Sequence, residues 1–283
     1  MTTAPAGGAA GVRPKGDAVI DDAGVAHQPV TGEPRIVSLV PSITELLFDL
    51  GLGPAVVGRT AFCVHPAPMV RSAKSIGGTK QVNMAKLAAL APTHAIVNVD
   101  ENPRGLAEEL AARGITVVVT HPIEVADNLR LYRLMGAMFR REAQAAALSR
   151  RFEAAYDELM RRRPAGHRER VLYLIWRDPW MTVSRETYIA RMLALIGWDT
   201  VADAAADRYP RIEVDEACLR RCDRVLFASE PFPFKECHLA AFREAFPGHA
   251  DKARLIDGER ISWYGSRAVA GLHYLSELAG TGK

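Results

Sequence analysis

The sequence predicts an α/β protein of two lobes, each with a central parallel sheet, joined by a single long α-helix. Three observations predict it. Short apolar runs alternate with helical spacing over residues 35–123, about forty residues without a strand run follow Glu124, and the alternation restarts at Arg170. Strands that are apolar throughout are buried on both faces, and with helices between them they read as parallel βαβ units. The expected division is a flexible arm over 1–34, an N-terminal lobe over 35–123, a helical connection over 124–164 and a C-terminal lobe over 165–283.

The arm is expected from its Gly, Ala and Pro content. It has no apolar stretch behind a basic start, so the chain as it stands reads as cytoplasmic, or as periplasmic if the true start lies upstream. The first strand run is "RIVSLV". The "PSITELLFDLG" after it has a Ser42 or Thr44 cap, apolar spacing through Ile43, Leu46, Leu47 and Leu50, and a stop at Gly51. "AVVG" before Arg59 reads as a further short strand. "HAIVNV" leads to a helix from Pro103 to Arg113, and "ITVVVT" to a helix from Ile123.

A second helix of the connection is expected from Arg141 to Arg163, with the apolar stripe Leu148, Phe152, Tyr156 and Leu159. At about 1.5 Å per residue it is roughly 35 Å long, a domain's width. Pro164 and Gly166 end it. The C-terminal lobe then runs through "RVLYLIW", a helix over Thr187 to Gly197, "RVLFAS", a helix over Glu236 to Phe246, "ARLIDG" and a last helix over Ser266 to Ala279. A single helical link resists large hinge motion, so a largely preformed cleft is expected.

At 283 residues the chain is long enough for two cores, and its 48% hydrophobic and 24% charged residues are those of a soluble globular protein. A net charge of +3 is too small to imply nucleic acid, and the longest apolar stretches are strand-sized, too short to span a membrane. Cys63, Cys218, Cys222 and Cys237 form no CxxC pair and read as reduced thiols. Phosphate-loop, nucleophile-elbow, HExxH and GxGxxG motifs are all missing, so catalysis has no positive signal. A monomer that requires no cofactor is expected.

Ligands of open parallel sheets sit beyond the carboxyl ends of the strands. One such end is "IWRDPWMTVSRETY", where Trp176 and Trp180 flank Asp178 and Pro179. Flat rings on rigid loops suit a wide apolar ligand. Phe234 in "SEPFPFKE", with Phe232, is expected to line the same mouth. In "FCVHP", Cys63 and His65 are a candidate pair of metal ligands.

"RIVSLVPSITELLFDLG", "GGTKQVNMAKLAALAPTHAIV" and "ERISWYGSR", in this order around a long central helix, resemble the helical-backbone metal receptor superfamily. These are the class III substrate-binding proteins that present cobalamin, ferric siderophores or haem to ABC importers. The resemblance covers roughly Arg35 to Ala279. It implies a non-enzymatic protein that holds a corrinoid or a ferric chelate between its lobes, with an ABC permease as partner. Its cobalamin-binding branch is the most similar, with Trp176 and Trp180 at one aromatic position and Trp263 and Tyr264 at another. Pro41 and Ser42, at the end of the first strand run, are among the strand-end positions expected to meet ligand. Lys80 and the "DEN" stretch stand where such relatives carry N-lobe aromatics; with Arg177, Arg211 and Lys235 they point to a more polar or anionic ligand. Ala85, followed by Lys86, stands where transporter-docked relatives carry a docking glutamate. Two alternatives use the same frame: a cytosolic enzyme with His65, Asp100, Glu101 and Glu230 in its cleft, and a regulatory protein that no longer binds ligand.

Overall fold

The computed structural model describes residues 18–163, 166, 168–202 and 207–280. The arm before residue 18, Pro164 and the last three residues lie outside them. The chain opens with a two-stranded antiparallel hairpin, β1 (Val19–Ile20) and β2 (Ala26–His27). The N-lobe follows as β3 (Ile36–Ser38), α1 (Pro41–Asp49), β4 (Val56–Arg59), β5 (Lys74–Ser75), α2 (Met84–Ala89), β6 (His94–Asn98), α3 (Arg104–Ala112) and β7 (Thr116–Thr120). Two helices make the connection, α4 (Asp127–Met138) and α5 (Glu142–Arg162). The C-lobe contains β8 (Glu169–Trp176), β9 (Met181–Thr182), α6 (Tyr188–Ala194), β10 (Trp198–Thr200), α7 (Glu216–Arg220), β11 (Arg224–Ala228), α8 (Glu236–Ala245), β12 (Ala253–Ile256), α9 (Gly258–Ser262) and α10 (Arg267–Gly280).

Both sheets are parallel, as the apolar runs require. The N-lobe order is β5-β4-β3-β6-β7, and the C-lobe order is β10-β8-β11-β12 with β9 added antiparallel to β8. In each sheet the chain leaves its first strand to one side and later returns to the other. The reversals fall between β3 and β6 and between β8 and β11, which are the places where open sheets part their loops and admit ligand.

The expected arm differs most from the structure. From residue 18 it is folded against the N-lobe, because Asp21 makes a buried hub. Its carboxylate accepts from the backbone N–H groups of Ala23, Val25 and Val119, each at 2.9 Å, and pairs with His27 at 2.9 Å. Burial works to raise the Asp21 pKa, and the His27 and backbone bonds outweigh it and hold the group below its usual value. Asp22 accepts from the His121 N–H and pairs with Arg130. The hairpin thus braces β7, the outermost strand.

Helix α5 spans 21 residues, about 31 Å at helical rise. Leu148, Phe152 and Leu159 of its stripe are buried, Tyr156 is half-buried, and the helix packs against α4 and α10. One hydrophobic cluster runs from Ile36 and Val40 of the N-lobe through this stripe to Tyr173 and Leu226 of the C-lobe. The lobes therefore share a continuous core as well as a helix.

Candidate functional site

The N-lobe presents its strand ends on a wired turn. The Asn98 side chain accepts from the N–H of Asp100 at 2.8 Å and of Glu101 at 3.3 Å, and donates to the Thr120 carbonyl at 2.9 Å. Asn102 returns the favour by accepting from the Asn98 N–H and by donating to the carbonyls of Thr79 and Leu39. Asn98 and Asn102 are buried. Asp100 and Glu101 are thereby fixed at the β3/β6 reversal.

Glu230 occupies the matching position in the C-lobe, one residue past Ser229 at the end of β11. Only glycine fits at 258, because an added Cβ there would lie 2.8 Å from the Glu230 nitrogen. The Gly258 N–H donates to the Ser229 hydroxyl at 2.9 Å, which ties the ends of β11 and β12 together.

The two halves meet through Trp263 and Tyr264, which follow α9. Both are buried, at 5% and 7% exposure. The Trp263 indole N–H donates to Glu230 Oε1 at 2.7 Å, and the Tyr264 hydroxyl donates to Glu101 Oε1 at 2.8 Å. Adjacent residues thus hold one carboxylate from each lobe. Gly265, next in the chain, has φ +78°, accepts from the Tyr132 hydroxyl and donates to Asn128 Oδ1 at 2.7 Å. Burial is the main cause that pushes the Glu101 pKa up to about 7, with a smaller push from Glu230; the bond from Tyr264 opposes it. Burial raises Glu230 also, against the bond from Trp263.

Further ties cross the cleft. Arg208 pairs with Asp100 at 3.0 Å and donates to His121 at 2.8 Å, and the Tyr209 hydroxyl donates to Asp100 at 3.1 Å. Burial would raise Asp100, but these partners hold it below its usual value. Arg267 grips Glu45 of the N-lobe with two bonds of 2.7 Å and reaches Glu259 at 2.9 Å; His65 meets Glu259 at 3.1 Å.

The expected site residues separate into groups. Trp176 stands on the rim, 41% exposed, edge-on to Phe232. Pro41 and Ser42 are buried at the start of α1, and the Ser42 backbone closes against Gly265. Lys80 is exposed and donates to the Asp100 carbonyl at 2.9 Å. Arg211 is exposed, with its backbone bridged to Met181.

Two expectations are corrected. Trp180 is half-buried and Phe234 is only 4% exposed; they stack on each other at 10° and pack against Phe227 in the C-lobe core. The turn through Asp178 and Pro179 folds Trp180 back onto the sheet, where burial of both rings gains more than exposure. Cys63 and His65 are not brought together as metal ligands. The Cys63 thiol is fully buried and bonded to the Thr44 and Thr60 hydroxyls at 3.0 and 3.1 Å, and burial raises its pKa. His65 faces Glu259 and the edge of Trp263. Among the described residues no group of three or more His, Cys, Asp or Glu is arranged to hold a metal ion.

Sequence reasoning missed Phe62, which is 60% exposed beside Gly78 on the loop after β4. Val99, 51% exposed, lies next to Asp100. These give the N-lobe strand ends an apolar rim of their own. No periodic pattern marks either residue.

The fold has counterparts among known proteins. Over 202 residues the chain is 21% identical to the vitamin B12-binding protein of Pectobacterium carotovorum subsp. carotovorum (strain PC1), covering 70% of this chain and 72% of that protein. The crystal structure of the periplasmic vitamin B12 binding protein BtuF of Vibrio cholerae superposes with a TM-score of 0.73 at 16% identity, over 88% of this chain and 98% of that one. The periplasmic heme-binding protein RhuT from Roseiflexus sp. RS-1, in apo form, superposes with a TM-score of 0.70 at 24% identity, over 88% and 97% of the two chains. At such identities the structural likenesses establish a shared fold. Residues 36–230, from the first N-lobe strand to the cleft carboxylate of the C-lobe, match the family described as periplasmic binding protein, and the chain belongs to that family.

Proposed function

We propose that the chain binds a corrinoid or a related metal chelate between its lobes and passes it to an ABC permease without transforming it. The observation that carries this reading is the distribution of rings and carboxylates at the two strand-order reversals. Trp176 and Phe62 project from opposite lobes, and Trp263 and Tyr264 form a rigid floor. Flat rings at a rim with a few polar groups beneath suit a broad, mostly apolar face with polar edges. The names of the relatives, which bind vitamin B12 or haem, support the same class. On the permease side, Ala85 and Lys86 occupy the exposed first turn of α2, so this helix offers no carboxylate there. The Asn83 cap, which accepts from the Lys86 N–H at 2.9 Å, fixes that turn.

A thermal-shift panel of cyanocobalamin, haemin and ferric siderophores tests the reading, because a ligand that binds only the folded state raises its apparent stability. At least one chelate is expected to raise the midpoint in proportion to the logarithm of its concentration. A panel with no shift at saturating concentration contradicts the reading. The compartment is decided separately by fractionation of tagged protein expressed from its own locus. Delivery to a permease needs the chain on the outer side of the membrane, so recovery in the cytoplasm alone contradicts that part of the reading.

A further inference from the structure

The cleft carries more acid than its cations neutralise. Asp100 is matched by Arg208, while Glu45 and Glu259 share Arg267. Glu101 and Glu230 stand outside these pairs. Each accepts a bond from a neutral aromatic donor through Oε1, and neither bond uses its Oε2. Lys80 is near enough for its charge to act on Glu101, but its ammonium is bonded to the Asp100 carbonyl.

A second observation concerns a hydroxyl beside this pair. Tyr173 is fully buried in β8; its hydroxyl has no hydrogen-bond partner, and Glu230 is the charged group that acts on it most strongly. Buried polar groups ordinarily find partners, so the unpartnered Tyr173 hydroxyl, on which Glu230 acts, marks a polar recess at the carboxylate pair.

We propose that Glu101 and Glu230 form a subsite that selects chelates whose edge carries N–H donors, carboxamide or amine, over chelates whose edge carries carboxylates. The inference rests on the chelate-binding reading and adds its specificity. An N–H group meeting a carboxylate makes a charge-assisted bond, stronger than a neutral one, in a setting where water is partly excluded. A carboxylate-edged chelate brings like charge against the pair, which is a device for rejecting the wrong ligand. The free charge in the recess is thus opposite to that suggested by Arg177, Arg211 and Lys235. Of these, Arg177 lies beside Asp178 and over Trp180.

Fluorescence titrations of the full chain at pH 8 with cyanocobalamin, which has a carboxamide-bearing rim, and haemin, which has a propionate edge, test this. The wild type is expected to prefer the corrinoid by about tenfold or more, and the Glu101→Gln/Glu230→Gln variant to lose about tenfold of that preference. Equal or tighter haemin binding by the wild type overturns the inference, as does an unchanged preference in a folded variant. Should the variant not fold, the wild type is titrated from pH 8 to pH 6. Glu101, which faces Tyr264, Glu230, Lys80 and Asp100, takes up its proton there. The preference must shrink with falling pH, and a constant preference overturns the inference. If neither chelate binds the wild type, this inference fails, while a thermal shift with a ferric siderophore would still uphold the proposed function.

Discussion

Trp180 stacks on Phe234 and meets the edge of Phe227, so replacing it by alanine removes a ring from the C-lobe core. Trp180→Ala is expected to cost about 2–4 kcal/mol of stability, toward the lower end of core aromatic truncations because Trp180 is only half-buried. Trp176→Ala should leave the urea midpoint nearly unchanged and weaken chelate binding instead. A Trp180→Ala protein of wild-type stability would mean that the stack does not form in solution. Glu101 makes a pH prediction. Its folded pKa of about 7 lies above the usual 4.5, so the folded chain holds that proton more tightly than the unfolded one does. Its favourable contribution is full below about pH 4.5 and fades as pH rises to about 7. Glu101→Gln, which stays neutral, should therefore raise the urea midpoint relative to wild type at pH 8 and leave it near wild type at pH 5. Equal effects at both pH values would contradict the burial of this carboxylate. The sequence marked both tryptophans as special because they share a loop with Asp178 and Pro179. Which of them faces outward depended on Phe227 and Phe234, residues more than forty positions away.

The β1–β2 hairpin shows what an element can hide in a Gly-rich start. Its strands have two residues each, too short for a periodic signal, and its stability comes from Asp21, whose partners include the distant Val119 N–H. Asp21→Ala is expected to cost about 3 kcal/mol, since it strands several buried donors, and the loss should appear as a lower urea midpoint at pH 7. In the wild type this stabilisation is present above the usual carboxylate range and is lost as pH falls through the lowered pKa of Asp21. The longer elements were legible. β3, β6, β7, β8 and β11 follow their apolar runs, and the cap of α6 is Thr187, whose side chain accepts from the Ala190 N–H. Short edge pieces such as β9 and β10 escaped, since strands of two or three residues carry no pattern. The carboxylate pair escaped as a unit for another reason. Glu101 and Glu230 were visible singly as cleft acids, but the Tyr264–Glu101 bond that joins them into a pair crosses between the lobes and exists only once they are assembled.

On the scale of the whole molecule, the shared core and the cross-lobe ties restrict how far the lobes can part. Glu45–Arg267 and Asp100–Arg208 bridge the cleft at separate points, while α5 and its cluster hold the back. Hinge closure needs a few residues free to absorb large dihedral changes, and a helix packed between α4 and α10 provides none along its length. The radius of gyration by small-angle scattering is therefore expected to change little on ligand saturation, and a large decrease would refute the rigid link. Under the proposed function a chelate sits between the lobes against the rings of Phe62 and Trp176. Isothermal titration of wild type and of a Phe62→Ala/Trp176→Ala variant with cyanocobalamin tests it most directly. Saturable binding by the wild type, a loss of about tenfold or more in the variant, and equal urea midpoints are expected. Undiminished binding by the variant, or no binding by the wild type, would contradict it.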